Sequence, residues 1–293
     1  MSTPLPAFAR QVWSLLEPLH ALTYFSPEPL QALKTAGYRG FWMGYFAGRA
    51  APLGPVGPEI VQALFYNFTI DRVAKALPSA WDFAPPAAAL AAREQGATAA
   101  LRRQFGELAD HPDLATAAEL ASRAAAVAPL EGRALFAANR ALPEPTDPVA
   151  RLWHAATLLR EHRGDGHIAA LVAAGVGGRE SHVLQALAHG TARDIYTVSR
   201  DYGTEEWDNR LNGLRDKGWV DGDGLSETGA RIKDEIEART DDLAASAYDT
   251  LTPAERNELV RVLRPLTHAV IAAGEIPPVT PIGLDLREAA APN

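Results

Sequence analysis

Apolar residues recur at three- and four-residue spacings along almost the whole chain, the period of amphipathic helices, and predict a mainly α fold. Helix punctuation agrees with that period. Ser26 before Pro27 reads as an N-cap with proline at the first helical position, and Gly37 ends that helix. Asp147-Pro148 repeats the device ahead of Val149, Leu152, Trp153, Ala156 and Leu159, which share one face. Thr252-Pro253-Ala254-Glu255 is a capping box, whose hydroxyl and carboxylate satisfy each other's orphan backbone N–H groups. Strand signal is sparse. Trp219-Val220-Asp221, the turn Gly222-Asp223-Gly224 and Leu225-Ser226 predict one short hairpin. The polar, Pro-rich run Ala141–Pro148 reads as a linker, and residues 276–293 as an irregular tail.

The pattern repeats. Leu30, Leu33, Ala36, Gly37 and Gly40 recur 138 residues later as Ile168, Leu171, Ala174, Gly175 and Gly178, and Trp81 falls on Trp219 at the same offset. Trp13 and Trp153 open comparable helices 140 residues apart, and Glu131, Leu135, Arg140 and Leu142 match Glu255, Leu259, Arg264 and Leu266 at 124. The order is the same in both halves. Two homologous lobes follow, residues 1–143 and 147–275, related by a pseudo-twofold axis.

The second lobe is the clearer copy. Thr204 reads as the cap of a helix that carries Trp207, Leu211 and Leu214 on one stripe and stops at Lys217-Gly218. The hairpin comes next, and Ser226-Glu227-Thr228-Gly229 then opens a long charged helix, so the order is that of a winged helix. The run from Leu211 through LRDKGWVDGDGLSETGARIKDEIEART resembles the wing and following helix of MarR-type winged-helix proteins. HALTYFSPE (His20–Glu28), FWMGYFAGRAAPLGP (Phe41–Pro55) and LWHAATLLREHRGDGHIAAL (Leu152–Leu171) resemble motifs of a largely uncharacterised actinobacterial helix-turn-helix family. That resemblance implies two winged-helix-like lobes in tandem, like a MarR-type dimer fused into one chain, and a role in transcription regulation.

Charge changes the picture. The 293-residue chain holds 36 acidic and 28 basic side chains, and residues 151–293 account for 23 of those acids against 16 bases. The excess sits where a winged helix would meet phosphates: Glu205, Glu206 and Asp208 on the reading helix, Asp221 and Asp223 at the wing tip. In the first lobe the equivalent helix offers Arg72 and Lys75, and Asp82–Pro86 replaces the wing. DNA is therefore a disfavoured partner on sequence grounds. The absence of cysteine excludes disulfides, thiolate metal sites and thiol nucleophiles. No run approaches the length of a membrane span and no leader is visible, so a cytoplasmic location without membrane contact is expected.

The halves diverge most between Gly40 and Thr69, where the first lobe packs seven of the chain's 22 aromatics. A pocket for a small apolar or aromatic molecule is expected there, with Tyr24, Trp42, Tyr45, Arg49, Tyr66 and Asn67 as contacts and His20 and His154 alongside. Gly44 and Gly48 would admit a neighbouring helix or a flat ligand, although aromatic stripes at helical spacing are mostly core. His154, Leu158, Glu161 and His162 form a helical stripe; His154 reads as a satisfied buried histidine, and Arg160, Glu161 and Arg163 as solvated. No mononuclear metal motif, phosphate loop or nucleophile elbow is present. The leading expectation is a ligand-responsive transcriptional regulator that binds a small molecule. The alternative is an enzyme or ligand-sequestering protein of specialised metabolism without DNA binding, in which His20 or His154 would be the residue to hold haem.

Overall fold

The computed structural model describes residues 3–280 and Leu286, the side chain of Thr204 excepted. In chain order the helices are α1 (Leu5–Ala21), α2 (Pro27–Thr35), α3 (Gly40–Ala50), α4 (Pro58–Phe65), α5 (Ile70–Ala74), α6 (Ala80–Phe83), α7 (Pro86–Phe105), α8 (Pro112–Val127) and α9 (Ala134–Arg140). The 26-residue α10 (Pro148–Ala173) begins the second half. It is followed by α11 (Gly178–His189), α12 (Arg193–Arg200), α13 (Thr204–Asp216), strands β1 (Val220–Asp221) and β2 (Gly224–Leu225), α14 (Glu227–Ala245) and α15 (Pro253–Ala272).

The caps show how local chemistry sets these boundaries. The Asp147 carboxylate accepts the Ala150 N–H at 3.0 Å, and the Thr252/Glu255 capping box is complete. Ser226 Oγ accepts the Gly229 N–H at 3.1 Å and so starts α14 at the end of the hairpin, which pairs Val220 with Leu225 and Asp221 with Gly224. Two expectations change. Ser26 precedes Pro27 as predicted, but its hydroxyl donates to Glu275 at 2.5 Å instead of capping α2. The cap position of α13 is Gly203, not Thr204.

Three hydrophobic cores result. The largest joins α1, α7, α8, α10, α14 and α15, drawing Val12, Leu101, Ala121, Trp153, Leu259 and Leu263 from both sides of the Ala141–Pro148 connector. At its centre Trp153 is buried, and its indole N–H donates to Thr23 Oγ1 at 2.9 Å, which satisfies the one polar atom of the ring. The two halves thus share one bundle, and each adds a small core of its own. That of the first half lies among α2–α6 around Phe46, Phe65, Phe68 and Leu77. That of the second lies among α11–α13 and the hairpin around Tyr196, Trp207 and Leu214.

Gly44 and Gly48 serve helix packing: a Cβ at either would already touch Leu33 of α2, at about 3.5 Å. Gly166 likewise brings α10 against Leu243 of α14. The outer segment after α15 is tied back by Glu275, which pairs with Arg103 at 2.8 Å. Of the predicted tail, only Leu286 lies among the described residues beyond Thr280, and it is buried in the shared bundle. No helix of the described residues is long and apolar enough to cross a membrane.

Candidate functional site

The first-half lobe leans against the second, and the contact is specific. Tyr66 OH donates to the Val176 carbonyl at 2.5 Å, while Asn67 Nδ2 donates to the Gly178 carbonyl at 3.0 Å and to Ser181 Oγ at 2.9 Å. Tyr66 (φ +54°) and Asp201 (φ +58°) have positive φ, alone among the described non-glycine residues, and both sit on this seam. Such backbone is unfavourable for a side-chain-bearing residue and persists only where its surroundings hold it. Gly178 is required by the same contact, because a Cβ there would lie 1.9 Å from the Tyr66 carbonyl oxygen. Gly178→Ala is therefore expected to cost about 1–3 kcal/mol by forcing the seam apart. Gly213→Ala, whose new Cβ would meet nothing within 4 Å, should instead stabilise α13 by about 0.5–1 kcal/mol. Thermal melts showing the same midpoint for both variants would mean that the seam is not closed in solution.

Behind the seam, a cavity of about 280 Å³ opens between the two lobes and the shared bundle. Its floor is charged. Glu161 on α10 faces Arg49 of α3 through two contacts of 3.3 Å and accepts from Arg160 Nη1 at 2.9 Å. Arg160 Nε also reaches Glu17 at 3.4 Å, and the Trp13 indole N–H donates to Glu17 at 3.2 Å. Burial pushes the Glu161 carboxyl up, but Arg160 and then Arg49 outweigh it and hold the group at about 2. For Glu17 burial wins over Arg160, and its carboxyl lies above the usual range. A second network stands at the other end. Arg163 Nη1 meets Asp241 at 2.7 Å, Arg10 meets the same carboxylate at 2.6 Å, and Lys233 pairs with Glu237.

Arg160, Glu161 and Arg163 are consequently not the solvated residues that their polarity predicts. Glu161 is 2% exposed and Arg163 6%. Their helix explains it: α10 packs against α1, α7, α8, α9 and α14, so at residues 160–163 its side chains meet neighbouring helices rather than open water.

The predicted contacts divide. Tyr45, Arg49 and Asn67 line the cavity, with Arg49 stacked 4.1 Å from the Phe65 ring centroid. Tyr66 stands just outside, holding the seam. Trp42 lies in the first-half core, ringed by Phe41, Tyr45, Phe46 and Phe68, with Arg72 over its face. His20 and Tyr24 border a separate void of about 20 Å³ on the far side of Tyr45 and Arg49. His154 is buried and lines neither space; burial, followed by Arg93, pulls its pKa down to about 4. The cavity-lining residues missed by the sequence reading include Glu17, Arg200, Lys233 and Glu237, which lie outside the aromatic segment and reach the cavity only through packing.

Haem does not fit. His20 Nδ1 is hydrogen-bonded to Thr157 Oγ1 at 3.0 Å and Nε2 to Tyr24 OH at 2.9 Å, so neither nitrogen is free for iron, and the adjoining void is far too small. Among the described residues no cluster of His, Asp or Glu has the makings of a metal site.

The acids of the second lobe are partly accounted for. Glu206 is held by Arg179 at 2.6 Å and Asp208 by Arg193 at 2.9 Å, so these two serve the lobe's own structure. Glu205, Asp221 and Asp223 have no ion-pair partner among the described residues, and all three are exposed. In the first half, Arg72 and Lys75 point at Asp201 across the seam, at 3.6 and 3.9 Å.

No curated protein and no solved structure matches the chain. A helix-turn-helix family matches it over residues 9–277, nearly its whole length. By that match, and with three short helices, a hairpin and a long helix in its second half, the chain belongs to this helix-turn-helix family.

Proposed function

We propose that the protein is a ligand-responsive transcriptional regulator built from two winged-helix-like lobes, residues 1–143 and 147–275, that arose by tandem duplication and resemble a fused MarR-type dimer. The order of elements supports the duplication: α3, α4, α5, α7 and α9 are followed in the same sequence by α11, α12, α13, α14 and α15, with the hairpin in the place of α6 and α8 as an insertion of the first half. Helix-turn-helix proteins generally read DNA through the last helix of the motif, here α5 and α13.

The observation that carries the ligand reading is the cavity between the lobes, which takes walls from both of them and from the bundle that joins them. A ligand that fits one lobe spacing better than another shifts the equilibrium between spacings by its difference in affinity. The closed seam keeps Arg72 and Lys75 on Asp201 and away from any phosphate. Lobe separation would release them, so this state is the one with weak DNA affinity.

Titration of a labelled random-sequence duplex at low and physiological salt tests this. Wild type should bind weakly with a steep salt dependence, and Asp201→Ala should bind several-fold tighter by freeing two cations. No binding by either protein at low salt would remove the regulator reading. The enzyme alternative has no observation in its favour, since both nitrogens of His20 are hydrogen-bonded and neither His20 nor His154 lines the cavity.

A further inference from the structure

The cations around the cavity are matched to carboxylates, with one exception. Arg49 and Arg160 share Glu161, Arg10 and Arg163 share Asp241, and Lys233 takes Glu237. Arg200, the last residue of α12, has no carboxylate partner among the described residues. Its guanidinium lies 4.6 Å from the Phe68 ring centroid, one Nη reaches the Ser199 carbonyl at 3.2 Å, and Nε is buried with no hydrogen-bond partner. The adjacent carboxylate, Asp201, is turned to Arg72 and Lys75 on the other side of the seam. Arg49 also lies near enough to disfavour the Arg200 charge. A guanidinium does not release its proton, and one left half-buried without a counterion is costly.

Besides the Arg49–Glu161 pair, this end of the cavity carries neutral groups. Tyr202 OH donates to the Arg179 carbonyl at 2.6 Å, so at 3.1 Å it accepts from His182 Nδ1–H. Burial, followed by Arg200 and Arg179, drives the His182 pKa well down, so the imidazole brings neither a competing positive charge nor a counterion. Phe68 lies against Arg200, and Phe65, Leu64, Leu171 and Leu184 add apolar lining to the same cavity.

We propose that the cavity takes a compact organic anion, a carboxylate on an apolar body, whose charge is met by Arg200 and whose body lies against Phe65, Phe68 and Leu184. This deepens the ligand-responsive reading and rests on it. Because Arg200 and Phe68 belong to different lobes, such a ligand bridges the seam and favours one lobe spacing. The free chain carries an unsatisfied guanidinium that the anion completes.

Calorimetric titration of the full chain with sodium benzoate and with its neutral counterpart benzamide provides the test, on wild type, Arg200→Gln and Arg200→Lys. Benzoate should bind wild type at least about tenfold more tightly than benzamide, the worth of one charge-assisted hydrogen bond. Arg200→Gln should erase that preference, and Arg200→Lys should keep part of it. Without ligand, Arg200→Gln should melt at a temperature equal to or above wild type, since it removes an unmatched buried charge. Equal affinity for benzamide and benzoate, or a preference unchanged in Arg200→Gln, overturns the anion assignment and leaves the cavity as a site for neutral ligands. Binding of neither compound overturns the anion assignment and the ligand reading together.

Discussion

Glu161→Gln is expected to lower the stability of the folded chain by about 3–5 kcal/mol, the usual cost of removing one partner from a buried ion pair. The substitution leaves the amide isosteric but strips the counterion from Arg49 and Arg160, whose side chains are only 12% and 13% exposed. Arg160 retains Glu17, and loss of the Glu161 charge favours ionisation of Glu17, so part of the penalty is recovered. Arg49 retains only the Tyr45 hydroxyl, at 3.4 Å. The loss should therefore concentrate at the contact between α3 and α10. Two comparisons make the prediction sharp. The double variant Arg49→Leu/Glu161→Leu should be less damaging than Glu161→Gln, because no unmatched charge remains. In urea unfolding, a midpoint for Glu161→Gln within error of wild type would show that water reaches this network and screens it.

Acidification should be nearly as damaging: between pH 7.5 and pH 5 a loss of about 5 kcal/mol is expected from the buried groups alone. Burial lowers the pKa of His154, His162 and His167 to about 4, 3 and 4, with Arg93 acting further on the first and Arg133 on the second. In the unfolded chain these groups titrate near 6.5. As pH falls through about 6.5, the unfolded state takes up protons that the folded state refuses, and stability declines until the folded pKa values are reached. At pH 5 each histidine contributes a loss of about 2 kcal/mol. Asp165 works in the opposite sense. Burial raises it to about 6, so the folded chain binds that proton first and regains about 1 kcal/mol at pH 5. His20 and His182, both driven well down by burial, add to the loss. Domain stabilities are of order 5–15 kcal/mol, so the protein should be near its acid unfolding point at pH 5. Urea midpoints at the two pH values measure this, and a midpoint that rises on acidification would reverse the sign of the argument.

Much of the fold was legible in the sequence because it depends on neighbours in the chain. The Asp147 cap, the Thr252/Glu255 capping box, the hairpin at Gly222 and the stop at Gly218 are decided within a few residues, and each appears where the pattern places it. Ser26 is the instructive exception. Its hydroxyl had a local role available and was taken by Glu275, a residue that only tertiary packing brings near. Of the site, Tyr45, Arg49 and Asn67 were legible from the aromatic concentration in the first half. Arg200, Lys233 and Glu237 were not, because nothing in the local sequence distinguishes a charged side chain facing solvent from one facing a cavity.

The sequence by itself determined the mainly helical character, several of the caps, the helix–hairpin–helix order of the second half and the seat of the acidic excess, since each follows from spacing and side-chain chemistry along one segment. Only the tertiary structure decided which charges are matched. Burial makes a charge costly and a partner from another helix removes that cost, so Glu161 became the keystone of a buried network and Arg200 its unmatched cation through packing alone.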